Sequence, residues 1–330
     1  MREAKYYEPH TQGVICSLCP KRCIIAQGRT GYCRVRKNIG NILYTENYAA
    51  CSSYAIDPIE KKPLYHFYPG SLILSLGTWG CNFSCSFCQN WQIAQELPQT
   101  RELLPEKAVE IASQQAEQGN IGIAYTYSEP SVWYEYVLDT AKAVHKAGMK
   151  NVLVTNGFIN REPLQEILPY IDAMNIDIKA FNNEYYHKIC AGELEAVKET
   201  VELAAAHCHV EITTLLVPGL NDAKQEIAEL AIWLGNVNVN IPLHFSRYFP
   251  NYKMDAPPTP LGTMKMAQET AGNHLKYIYL GNMEGDGVNT YCPSCKGIVI
   301  DRNRWQSYLV KVNKCSQCGS DISIVGEANF

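Results

Sequence analysis

Three cysteines, Cys81, Cys85 and Cys88, stand in the spacing C-x3-C-x2-C inside the run Gly80-Cys-Asn-Phe-Ser-Cys-Ser-Phe-Cys-Gln-Asn90, and the next cysteine along the chain is Cys190. Three thiolates on a four-iron cluster leave one iron without a protein ligand, whereas clusters that only carry electrons are normally held by four cysteines. An open iron can accept the amine and carboxylate of a small molecule, much as an open position does at catalytic zinc. The alternatives are a zinc site, which wants a fourth ligand and has none nearby, or three unrelated core thiols.

Two further cysteine groups flank this one. Cys16-x2-Cys19-Pro-x2-Cys23, followed by Cys33, forms a knuckle with few apolar neighbours, so a metal would stand in for a core. The four ligands suit tetrahedral zinc or an auxiliary four-iron cluster. Cys51 stands outside this set and reads as a small buried hydrophobe. Near the other end, Cys292-Pro-Ser-Cys295 and Cys315-Ser-Gln-Cys318 are two C-x2-C pairs, the pattern of a zinc ribbon, with rubredoxin-like iron as the alternative.

The elements that must position these groups show as a rhythm of apolar strands and helical stretches. Strands are expected at 72–77, 121–126, 150–155, 173–178, 209–216 and 239–244, with a short closing strand at 275–280. Helices are expected at about 105–118, 131–147, 162–168, 193–206, 222–234 and 261–271. Pro105, Pro130-Ser131 and Asn221-Asp222 mark helix starts, and Gly119 and Gly148 mark stops. Six alternations imply parallel strands and an α/β fold, a partial (βα)6 barrel open on one side. The expected units are 1–70, a Cys-rich knuckle and connector; 71–285, the barrel; and 286–330, the ribbon-like tail. Within the first, Asp57-Pro-Ile-Glu-Lys-Lys-Pro-Leu-Tyr-His-Phe-Tyr-Pro-Gly70 reads as an ordered connector. Polar residues gather at the strand C-terminal ends, where such barrels place their active sites: Glu129, Asn156, Asp177, Lys179, His244 and Arg247.

With 330 residues, 46% hydrophobic and 19% charged, the chain is of ordinary globular composition. A net charge of −4 argues against a broad grip on nucleic acid. No secretory signal or apolar run of spanning length is seen, and clustered cysteines in such a chain imply a cytoplasmic metal protein.

The triplet Cys81-x3-Cys85-x-Phe87-Cys88, directly after an apolar strand, resembles the signature of the radical SAM superfamily. Residues 74–220 are similar to the pyruvate formate-lyase activating enzyme and its glycyl-radical activase relatives, through Leu153-Val-Thr-Asn-Gly-Phe158, Asn175-Ile-Asp-Ile-Lys179 and Val217-Pro-Gly219. The whole layout resembles the radical SAM member of the AmmeMemoRadiSam system. The likeness there includes the Asp57–Phe67 segment, His244-Phe-Ser-Arg-Tyr-Phe-Pro250, Tyr279-Leu-Gly-Asn282 and the tail. The resemblance implies a [4Fe–4S] cluster on Cys81, Cys85 and Cys88, and S-adenosylmethionine (SAM) bound through Phe87, Glu129, Asn156, Asp177, Lys179 and His244. It places Glu129 where the superfamily has a Gly-Gly-Glu element; here the two glycines are absent. It further implies reductive cleavage of SAM to a 5′-deoxyadenosyl radical, and an electron donor of flavodoxin or ferredoxin type. Memo-family and AMME-type proteins, or a glycyl radical protein, are the partners it suggests, with a small molecule as the other substrate class. The rival readings are a non-enzymatic zinc scaffold and an electron-transfer iron–sulfur protein.

Overall fold

The computed structural model describes residues 1–310 and 313–330; residues 311 and 312, in the arm between the two C-terminal cysteine pairs, lie outside the described residues. An eight-stranded sheet dominates. Its strands are β1 (Ser53–Pro58), β2 (Leu72–Gly77), β3 (Asn120–Tyr125), β4 (Lys150–Thr155), β5 (Ala173–Asp177), β6 (His209–Leu216), β7 (Leu243–Arg247) and β8 (Ile278–Gly281). They lie in sequence order across the sheet; β2 to β8 are parallel, and β1 pairs antiparallel with β2, Ser53 opposite Gly77 and Pro58 opposite Leu72. The crossovers carry α1 (Pro105–Gln114), α2 (Tyr134–Lys146), α3 (Arg161–Ile167), α4 (Leu194–Ala205), α5 (Lys224–Asn238) and α6 (Leu261–Ala271). Strands covered in this way read as near-continuous apolar runs, as Leu72-Ile-Leu-Ser-Leu76 does.

Several boundaries differ from the sequence reading, each for a local reason. The sixth parallel strand starts at Leu243 rather than 239, because α5 runs on to Asn238 and Ile241 N–H turns back to Asn238 O. The closing strand starts at Ile278 rather than 275, since Leu275 N–H still bonds Ala271 O at the end of α6. Asn221 and Asp222 do not cap α5. Their carboxamide and carboxylate accept from Val217 N–H at 2.6 Å and Gly219 N–H at 2.8 Å, closing the loop before it. Pro130 opens a 3-10 turn, Pro130–Trp133, and the α-helix follows. The sheet also begins earlier than residue 71, because β1 adds an antiparallel edge strand.

The segment between β1 and β2 is a strap rather than a plain connector. It crosses the sheet face that carries Asn175, Glu211 and His244. Asn175 Nδ2 donates to Pro63 O at 2.9 Å and His66 N–H donates to Glu211 Oε1 at 2.7 Å. Glu211 is wholly buried, with His209 Nε2 at 3.0 Å and His244 Nε2 at 2.6 Å. Burial alone would raise its carboxyl; the two histidines outweigh that and hold it well below the usual carboxylate range.

The C-terminal tail grips the strap from the other side. Arg302 Nη2 donates to Tyr65 O at 2.6 Å, His66 Nδ1 meets Ser323 O at 2.6 Å, and Asn329 N–H donates to Pro69 O at 2.7 Å. His66 is fully buried and its other nitrogen meets the Tyr279 hydroxyl at 2.5 Å, so the ring sits neutral with the proton on Nδ1. Burial drives its pKa down to about 3. The unfolded chain therefore takes up a proton near pH 6.5 that the folded chain refuses. Stability present above that pH is lost as pH falls toward 3, by a few kcal/mol. Urea unfolding at pH 7.5 and pH 5 is expected to show this loss, and His66→Asn to shrink the difference; an equal difference in the variant would assign it to other groups.

The first fifty residues form two small sheets, one of Tyr7–His10, Gly13–Cys16 and Ile24–Ile25, the other of Arg2–Glu3, Ile42–Thr45 and Arg36–Ile39. Their buried residues Val14, Leu18, Ile25 and Leu43 join the main core. Arg36, 1% exposed, pairs with Glu135, 3% exposed, at 2.5 Å, tying this region to the start of α2. Among the described residues no helix is long and apolar enough to cross a membrane.

Candidate active site

The loop bearing Cys81, Cys85 and Cys88 leaves β2 at its C-terminal end. Gly80 takes φ +90°, and a Cβ there would lie 2.7 Å from Cys33 O and 2.5 Å from Val35 Cγ1; only glycine fits both the turn and the approach. The loop is pinned on both sides. Gly80 N–H bonds Ile93 O, Ser84 N–H bonds Cys190 O at 3.0 Å, and Lys253 N–H bonds Ser86 O at 2.9 Å. Asn82 Nδ2 donates to Phe158 O at 2.7 Å, while Asn82 Oδ1 accepts from Asn156 Nδ2 at 2.8 Å. Asn156 Nδ2 also lies 3.7 Å from Cys81 Sγ.

A cavity of about 350 Å³ opens over this loop, in the size range of small-ligand sites. Cys81, Cys85, Cys88, Phe87, Glu129, Asn156, Asp177 and Lys179 all line it. These residues come from the ends of β2, β3, β4 and β5, so the topology gathers side chains spread over about a hundred positions.

Glu129 is 3% exposed and held by two backbone N–H groups and a hydroxyl. One oxygen accepts from Ser131 N–H at 2.9 Å and Thr155 Oγ1 at 2.6 Å, the other from Asn156 N–H at 2.8 Å. Burial pushes its carboxyl up while these bonds pull it down. A carboxylate offers about four acceptor positions, so one remains. Asp177 and Lys179 pair at 2.7 Å. Burial works against the Lys179 ammonium, but the neighbouring Asp177 and Cys85 charges keep its pKa well above the ordinary lysine value.

Cys190 is fully buried and lies against Cys85, outside the residues that line the cavity. Contact with that second thiol, together with burial, pushes the Cys85 thiol well above its ordinary value. Burial does the same at Cys81, with the Glu129 charge adding to it. Three thiols therefore face the cavity, a donor set that fits a four-iron cluster with one iron left for a ligand.

His244 is not among these residues. It lies one layer beneath the cavity, facing the same side as Ser246, and its Nε2 is taken by Glu211. Arg247 also stays clear, with Nε donating to Thr259 O at 2.8 Å. Other lining residues were given no role from the sequence, among them Tyr127, Lys62 and Lys61. Tyr127 takes φ +67° and donates to Asp57 Oδ2 at 2.8 Å. Lys62, 3% exposed, pairs with the same Asp57 at 2.8 Å, and Lys61 is its neighbour. The lysines were legible as part of the Asp57–Phe67 segment, but no periodicity says that a connector turns into an active-site wall.

The C-terminal cysteines form a second candidate metal centre. Cys292, Cys295, Cys315 and Cys318 hold their sulfurs within 4.8 Å of one another, with Cys292 and Cys318 at 3.6 Å and Cys295 and Cys315 at 3.7 Å. Those distances match the edge of a tetrahedron around one ion with bonds of about 2.3 Å. Bonding to Ser320 draws the Cys318 thiol down to about 6, so a thiolate forms readily. Cys295→Ser, or a chelator, is expected to raise amide exchange beyond residue 286 first; unchanged protection there would mean that the tail holds together without metal.

The model of the Radical SAM superfamily matches residues 76–231. An uncharacterized protein of Methanocaldococcus jannaschii is 44% identical over 98% of this chain and 100% of its own length. The pyruvate formate-lyase 1-activating enzyme of Escherichia coli K12 is 28% identical over 48% of this chain and 68% of its own. Among solved structures, Streptococcus suis SuiB bound to S-adenosylmethionine matches with a TM-score of 0.52 at 13% identity, over 69% of this chain and 54% of that one; the likeness is one of fold.

Proposed function

We propose, from the premise that the chain belongs to one family with its full-length Methanocaldococcus jannaschii relative and carries a radical SAM domain, that it is an enzyme using a [4Fe–4S] cluster on Cys81, Cys85 and Cys88 to cleave SAM. The observation that carries this reading is the single cavity shared by the three thiols, Glu129, Asn156, Asp177 and Lys179. When bound, the cluster supplies the electron that splits SAM into methionine and a 5′-deoxyadenosyl radical. Glu129 offers its remaining acceptor position to the SAM ammonium, a charge-assisted bond. Lys179, held charged by Asp177, faces the carboxylate, and Asp177 is left to accept from ribose hydroxyls. Phe87 flanks the adenine, and Asn156 orients Cys81. His244 acts instead through Glu211, fixing the layer on which the cavity rests.

The radical supplied there would abstract a hydrogen atom from a substrate. The activating-enzyme relative supports a glycyl Cα–H on a partner protein. A small anionic substrate is the second reading, supported by Lys61 and Lys62 in the cavity wall. We read the parallel strands as a partial (βα)6 barrel within 71–285, 1–70 as the knuckle and strap, and 286–330 as a zinc ribbon. We place the enzyme in the cytoplasm with a flavodoxin- or ferredoxin-type donor. Anaerobic incubation with SAM and dithionite, scored for 5′-deoxyadenosine, tests the chemistry. Memo-family, AMME-type and glycyl radical proteins are then added in turn. Failure to form the nucleoside from iron-loaded protein would refute the reading.

A further inference from the structure

We infer that Cys16, Cys19, Cys23 and Cys33 hold a second four-iron cluster, set to pass electrons to the centre at Cys81, Cys85 and Cys88. All four line one cavity, together with the apolar Leu18 and Val132. Their spacing separates them from the C-terminal set. Among the described residues, only the C-terminal sulfurs gather three or more ligand atoms within 4.8 Å. No three of the N-terminal sulfurs lie within 4.8 Å of one another, and neither do the catalytic three. A single zinc ion with bonds of about 2.3 Å needs sulfurs drawn close together. A cluster that places each thiolate on a different iron needs them apart.

Charge and position agree with this. Four thiolates on a cluster leave a net negative site, and Arg36 provides a buried cation beside it, with Nη1 3.8 Å from Cys16 Sγ. The knuckle also touches the catalytic loop at three points. Gly80 packs on Cys33 O, where no Cβ could fit. The Tyr32 and Ser84 hydroxyls meet at 2.6 Å. Asn82 lines the N-terminal cavity and is bonded to Asn156, which reaches Cys81 Sγ at 3.7 Å. One layer of residues thus separates the two cysteine sets.

The transfer is a single electron. A reduced ferredoxin or flavodoxin gives it up and is oxidised by one; the N-terminal centre takes it and returns to its starting state on passing it to the catalytic centre. No proton or atom moves. The relay rests on the radical SAM reading, but the metal count does not. Anaerobically reconstituted full-length protein is analysed for iron, sulfide and zinc. About eight iron and one zinc per chain are expected; about four iron and two zinc would overturn the site without touching the catalytic assignment. Cys19→Ser with Cys23→Ser is expected to remove about half the iron and sulfide, and the same count on wild-type protein stands if that variant does not fold. With a reduced ferredoxin the variant is expected to form 5′-deoxyadenosine at least about tenfold more slowly, while dithionite still drives it; undiminished ferredoxin-driven turnover would overturn the relay.

Discussion

Cys85→Ala is expected to bring SAM cleavage down by more than about a hundredfold, to background, because a cluster left with two thiolates is not retained. Cys85 sits at the centre of the loop, between the backbone bonds that Ser84 and Ser86 make to Cys190 and Ile189. The backbone clamp does not depend on the side chain, so the variant should fold. Sulfur removal from a buried site, Cys85 being 8% exposed, costs stability of the order of ~1 kcal/mol. The C-terminal cysteines lie apart, with Cys292 and Cys315 in a separate apolar cluster, and a metal held there should persist. The measurement is 5′-deoxyadenosine formation alongside iron and zinc content. Turnover above a tenth of wild type would mean that another residue, with Cys190 the nearest candidate, replaces the ligand.

The second large effect is expected at Glu129. Glu129→Ala removes the acceptor for two buried N–H groups and one hydroxyl, and each buried donor left alone costs about 1–3 kcal/mol. The variant should therefore unfold at lower denaturant. It should also bind SAM about 10–100-fold more weakly, the worth of one charge-assisted hydrogen bond. Equilibrium SAM binding to iron-loaded protein separates the two consequences. If affinity is unchanged while stability falls, the carboxylate is a brace for the end of β4 and touches no ligand.

Much of this site could be read in the amino acids, because its members are tied to regular elements. The apolar runs mark β2, β3, β4 and β5, and a polar residue just past the end of a parallel strand is already placed at one face. That logic finds Glu129, Asn156, Asp177 and Lys179. It misplaces His244, because the strand begins at Leu243 and the histidine is its second residue, too far from the C-terminal end. The helix α5 caused the error: Val237 and Val239 look like strand residues, and helical packing through Leu230 and Leu234 carries the helix past the first of them to Asn238. Tyr127, Lys61 and Lys62 escaped for a different reason. Their positions depend on a left-handed turn and on a strap without period, and neither leaves a pattern in the residues themselves. The resemblance to activating enzymes covers the cysteine loop and the middle strands, where the relatives align, and says nothing about the strap.

The strap makes the reaction chamber and the distant tail mechanically one object. Lys62 stands in the chamber wall, while Tyr65, His66 and Pro69, a few residues on, are clasped by Arg302, Ser323 and Asn329. Trimming the protein to its catalytic core would thus unmoor a wall of the very space to be kept. A minimal version built for synthesis would need a substitute clasp, and loosening of the far end would be felt as a change in what the chamber admits.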